Sequence, residues 1–156
     1  MKPIKRSIAV VVSAGPAATP GVKAGLHSWR ARTHAVLLVR RPPDDEDLPD
    51  AWGLPAGSLR AGESWEEAVR RAGREKLGVE LRPGPLLGEG DLERRDYILR
   101  MRLYAAELAA GQPAVPQPLP GVTQYAAWAW GPVDRLRPAA GRGSLCSRLC
   151  LRWAGA

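Results

Sequence analysis

Short apolar runs along this chain alternate with polar stretches bounded by glycine and proline. Lys2, Lys5 and Arg6 precede Ile8-Ala9-Val10-Val11-Val12, which predicts a first sheet strand. The run resembles a signal peptide but is too short for a hydrophobic h-region. Ala35 to Val39 (AVLLV) predicts a buried strand ending at Arg40-Arg41. Between these runs, Ala14 to Thr33 is rich in Gly, Pro and Ala, which predicts a long loop or splayed hairpin. Trp29 in that stretch leaves two roles open, stacking on a nucleobase or covering the core. Core cover is the commoner fate of a single tryptophan, and His27 and His34 read as structural or merely exposed.

The stretch that organises the chain runs from Trp52 to Leu81. It predicts a short strand, a glycine-bent loop, one helix and a closing turn. Leu54-Pro55-Ala56-Gly57 lets the backbone bend where side chains would obstruct it. Glu63-Ser64 suits a helix N-terminus, and Gly78 supplies a left-handed stop. At helical periodicity Trp65, Ala68, Val69, Ala72, Gly73 and Leu77 make one apolar stripe, with Glu67, Arg70, Arg71 and Arg74 facing away. Lys76 breaks the pattern by projecting from the middle of that stripe, and Glu75 sits at its edge. An ordinary core helix has no reason to place charge there, because burying it unpaired is costly.

Downstream, Pro83-Gly84-Pro85 predicts a turn and Tyr97 to Tyr104 a long strand, alternating from Ile98. Glu89, Asp91, Glu93 and Asp96 gather before it as a hairpin acid cluster. Ala109 to Gly121 is a proline-rich loop without an acid. Val122 to Trp130 reads as a strand with Trp128 and Trp130 on one face. A short helix follows from Pro132, and Ser144 to Trp153 makes a final amphipathic helix.

Composition narrows the picture. Hydrophobic content of 45% and charged content of 25% are those of a soluble globular protein. At 156 residues the expectation is one domain spanning 1–156. The net charge of +7 favours anionic partners, although the arginines are scattered rather than clustered. No stretch is long enough to span a membrane, and the expected location is cytoplasmic. Cys146 and Cys150, one helical turn apart, are badly placed for a disulfide and read as reduced thiols. No zinc-ligand spacing occurs. Beyond the basic charge nothing recommends nucleic acid binding, since no aromatic-basic stripe supports it.

The organising stretch resembles the Nudix box of the Nudix hydrolases, G-x5-E-x7-R-E-U-x-E-E-x-G-U, with U aliphatic. Gly57, Glu63, Arg71, Glu75, Gly78 and Val79 fall in register without a gap, and WGLPAG and GES fit as well. The resemblance implies an α+β Nudix fold, a mixed sheet sandwiched between helices. It implies hydrolysis of a nucleoside diphosphate derivative or nucleoside triphosphate at a pyrophosphate bond, with Mg²⁺ or Mn²⁺ as cofactor. It also implies a catalytic set of Glu75, Arg71 and Glu63. Glu75 would be a metal ligand, with Glu67 a candidate replacement. Substrate contacts would fall to Arg40, Arg41, Lys76 and Gly57. For Arg40 and Arg41 the bland alternative is a solvated strand end paired with Asp44-Asp45-Glu46-Asp47. Family members are often homodimers, though nothing in this chain marks an interface.

The departures carry equal weight. In the family three glutamates, at the positions of Ala72, Glu75 and Lys76, hold the metal. Here only Glu75 remains, and an ammonium stands where a cation would sit. One carboxylate beside an ammonium is a poor site for a hard cation. A second loss lies in the loop before Gln124 and Tyr125, where many members carry an extra acid. The alternative function is therefore a nucleotide-binding module that does not cut, with Lys76 as a tethered cation or with its stem snorkelling over apolar surface.

Overall fold

The computed structural model describes residues 1–14 and 35–155. Trp29, His27 and His34 therefore lie outside the described residues. Strand β1 (Ile4–Val12) pairs in parallel with β6 (Ile98–Ala110) and antiparallel with β4 (Ala56–Ser58). Strand β5 (Glu80–Glu93) forms the outer edge of this sheet, whose order is β4-β1-β6-β5. A second sheet, ordered β3-β2-β7, comprises Trp52–Gly53, Ala35–Arg40 and Ala127–Pro132. The two sheets touch through a bridge between Ser13 and Val36. From there the beginning of β1 and the end of β2 diverge, and the gap between them is the cleft described below.

Helix α1 (Trp65–Leu77) forms where the stripe and caps predict it. The Ser64 hydroxyl accepts from the Glu67 N–H at 3.1 Å, and Gly78 closes the helix at φ 67°. Ala68, Val69, Ala72 and Leu77 bury against Ile8, Val10, Val12 and Tyr104. A side chain at Gly73 would bring its Cβ within 2.8 Å of the Leu81 side chain, so glycine there permits close seating on β5. The opposite core is covered by α3 (Leu145–Ala154), reached through a 3₁₀ turn (Val133–Leu136) and short α2 (Arg137–Gly141). Cys146 and Cys150 are free and buried, and desolvation pushes the Cys150 thiol up to about 12. The architecture is the expected mixed α+β layer flanked by helices, and no helix among the described residues is long and apolar enough to cross a membrane.

Two local expectations need correction, and a third is refined. Pro83-Gly84-Pro85 is not a turn but lies inside β5, where the pairing register shifts between Pro83 and Leu86. An edge strand tolerates residues that cannot donate to a ladder, and a register irregularity absorbs them. Strand β7 begins at Ala127 rather than Val122, after Tyr125 has turned inward. The acids before β6 do lie on the expected hairpin, which β5 and β6 form through the turn from Arg94 to Tyr97. They belong largely to β5, where Glu89 pairs with Arg102, Asp91 with Arg100 and Glu93 with Lys2.

Candidate functional site

The loop before α1 and the helix itself are tied together by Arg71. Its Nε and Nη2 donate to the two Glu63 carboxylate oxygens at 2.8 and 3.0 Å. Its Nη1 donates to Glu75 at 3.0 Å, and its Nη2 also reaches the Ser58 carbonyl at 2.6 Å. The outward placement expected for Arg71 from periodicity fails, since its side chain is only 16% exposed. A long side chain bends back to satisfy acceptors that the helical wheel does not contain. Arg60 completes the cluster by donating to both Glu75 oxygens, at 2.8 and 3.1 Å.

These contacts set the electrostatics. The Arg71 hydrogen bonds hold the Glu63 carboxyl below the usual glutamate value, outweighing desolvation. For Glu75, desolvation pushes upward, and hydrogen bonds from Arg71 and Arg60 overcome it to leave the pKa lowered. Glu75 is therefore an ionised carboxylate whose two oxygens are already engaged by two guanidinium groups.

Lys76 turns to the other side of the loop. Its Nζ donates to the Ala56 carbonyl at 2.6 Å and lies 5.3 Å from the centroid of the Tyr125 ring. The Tyr125 hydroxyl accepts from the Ala56 N–H at 2.9 Å and donates to the Ala56 carbonyl at 3.2 Å. Ala72 is 1% exposed, and its methyl would sit 3.7 Å from a Cβ built on Gly57. The ammonium and the phenol together fix the backbone of the glycine loop. Nearby, Gln124 accepts from the Gln117 N–H at 2.7 Å, and its Nε2 reaches the Glu75 carbonyl at 3.4 Å.

A cleft of about 850 Å³ opens between the diverging sheets. Of the residues expected at the site, Arg41, Gly57 and Lys76 line it, whereas Arg40, Glu63, Glu67, Arg71 and Glu75 do not. The structure thus brings Glu63, Arg71 and Glu75 together behind the loop and leaves Glu67 exposed in the first helical turn. Arg41 is paired with Asp45 at 3.1 Å, as the bland reading of the acidic run anticipates. Asp45 also accepts from the Leu48 N–H at 2.8 Å; this bond and Arg41 outweigh desolvation and lower its pKa. Arg40 is partly buried, with an Nε that meets no acceptor among the described residues.

Residues that the sequence did not single out include Arg60 and three members of the cleft wall, Lys5, Arg94 and Tyr97. Lys5 appears in the sequence only as part of a basic start, and nothing local marks the other three. No three His, Cys, Asp or Glu side chains among the described residues come together as a metal-holding group.

The comparisons with known proteins agree with this geometry. The NUDIX domain model matches residues 21–153. Among solved structures, a NUDIX hydrolase from Nitrosomonas europaea superposes with a TM-score of 0.69 at 18% identity, covering 99% of this chain and 89% of that one. A MutT protein from Methanosarcina mazei Go1 gives 0.65 at 18% identity, over 97% and 94% of the two chains. An ADP-ribose pyrophosphatase from Streptococcus suis gives 0.58 at 14% identity, over 97% and 92%. Among curated proteins none matches significantly. The family match spans most of the chain and takes in the whole stretch from Gly57 to Val79, so the chain belongs to the Nudix family.

Proposed function

We propose that this chain binds a nucleoside diphosphate derivative in the cleft, and that its box has lost the divalent-metal centre, leaving hydrolysis at the pyrophosphate bond weak or absent. The observation that carries this reading is the engagement of Glu75, whose carboxylate is held by Arg60 and Arg71 together. A divalent ion needs several oxygen ligands. At the two other positions it would meet a methyl group on Ala72 and an ammonium on Lys76. The donor set does not fit Mg²⁺ or Mn²⁺. The ligand class is drawn from the fold's company, which includes an ADP-ribose pyrophosphatase and a UDP-X diphosphatase. A cleft of about 850 Å³ is in the range of small-molecule sites.

In this reading the residues of the box hold shape rather than react. Arg71 clamps Ser58 to the helix, Lys76 and Tyr125 pin Ala56, and Gly57 leaves the wall open. Lys76 contributes a fixed positive charge beside the cleft without any bound cation.

Calorimetric titration with ADP and ADP-ribose in excess chelator tests the reading, together with a hydrolysis assay over a nucleotide panel with Mg²⁺ and Mn²⁺. Binding that survives chelation with no metal-stimulated turnover is expected. Rapid metal-dependent release of phosphate products would overturn it. The second reading, a working hydrolase, is favoured by one observation: Asp44, Glu46 and Asp47 line the same cleft and bring carboxylates from outside the box.

A further inference from the structure

Four cationic side chains line the cleft: Lys5, Arg41, Lys76 and Arg94. Two of them are anchored by the protein. Arg41 is paired with Asp45, and Lys76 is drawn onto the Ala56 carbonyl and the Tyr125 face. The other two form no ion pair among the described residues. Lys5, on the exposed start of β1, places its ammonium 5.4 Å from the centroid of the Tyr97 ring. Arg94, in the turn between β5 and β6, is half-buried, and its Nε is shut from solvent with no acceptor among the described residues. Its backbone is fixed nonetheless, by its N–H donating to the Tyr97 carbonyl at 2.8 Å and by Lys2 bonding its own carbonyl at 2.8 Å.

We propose that Lys5 and Arg94 are the anion clamp of this cleft, binding the diphosphate along β1 and the β5–β6 turn, beside the degenerate box rather than on it. The inference rests on the functional reading above and assigns the part of the ligand that the box no longer serves. A guanidinium matches phosphate oxygens as a fork, and an ammonium beside it adds a second charge. The turn that carries Arg94 is already ordered, so little is lost in presenting it. The other lip reinforces the choice of wall. Asp44, Glu46 and Asp47 belong to the loop after β2, and their negative charge directs a diphosphate away from that lip. Tyr97, Leu99 and Met101 lie next to the cations on the cleft floor and offer apolar surface for the uncharged part of the ligand.

Calorimetric titration with inorganic pyrophosphate and with ADP, in chelator, tests the clamp in wild type, Arg94→Gln and the Lys5→Gln/Arg94→Gln double variant. Each charged contact is worth about tenfold in affinity or more, so the single variant is expected to weaken ADP about tenfold and the double variant about a hundredfold. Both residues lie on strand starts or turns, and the single variant removes only the guanidinium should the double variant misfold. Arg82→Gln, on edge strand β5 and outside the cleft lining, is expected to leave both affinities unchanged. Wild-type binding of ADP with no loss in either variant overturns the clamp while leaving the functional reading in place. A wild-type protein that binds neither pyrophosphate nor ADP overturns both.

Discussion

The closed wall behind the glycine loop and the open wall along β1 and the β5–β6 turn use charge in opposite ways. On the box side Arg60, Glu63, Arg71 and Glu75 satisfy one another, and Lys76 is spent on the backbone of the loop. On the open wall Lys5 and Arg94 are left without carboxylate partners among the described residues. A closed network stabilises the loop but has little left to offer a ligand. An open pair contributes nothing to folding through ion pairing, yet its charge is available. The contrast teaches that the motif carrying the family resemblance need not be the part of this cleft that does the binding.

Breaking the closed wall should have the largest effect. Arg71→Ala removes donors from Glu63, Glu75 and Ser58 at once, leaving two partly buried carboxylates short of partners. The expected loss is about 3 kcal/mol, by analogy with removing one member of a buried ion pair. That corresponds to a fall in Tm of roughly 6–12 °C by calorimetry for a chain of this size. A change of less than about 1 °C would mean the cluster is ornamental.

The same wall should make stability fall in acid. Glu63 and Glu75 have folded pKa values below their ordinary 4.5, so the folded state binds fewer protons than the unfolded chain through that region. Their contribution is complete above 4.5 and is lost as pH falls through the folded values. Wild-type Tm should therefore drop more steeply than that of Arg71→Ala between about pH 5 and about pH 3. Parallel profiles would contradict the assignment.

The open wall should barely register in stability. Arg94→Gln is expected to change unfolding free energy by less than about 0.5 kcal/mol, because the half-buried guanidinium forms no ion pair among the described residues for the change to break. A larger loss in thermal or denaturant unfolding would show that Arg94 holds the turn rather than waiting for a ligand.

Much of the closed wall was legible from residue order, and almost none of the open one. The caps at Ser64 and Gly78, the stripe from Trp65 to Leu77 and the anomaly of Lys76 are local features, fixed within a few turns of helix. The spacing from Gly57 to Val79 identified the family for the same reason. Lys5 and Tyr97, by contrast, meet only because β1 and β6 pair in parallel, across a sequence distance no periodicity spans. Arg71 departs from its helical-wheel direction because the wheel gives the direction of a Cβ and not the reach of a guanidinium. The turn expected at Pro83-Gly84-Pro85 failed because an edge strand and a register shift accommodate residues that normally end strands.

The central claim is that the box helix does not grip a divalent ion, and titration of Mn²⁺ into the metal-free protein, followed by water-proton relaxation, tests it most directly. The account predicts no site tighter than about 1 mM, and no difference between wild type and Glu75→Gln. A single stoichiometric micromolar site that disappears in Glu75→Gln would contradict it.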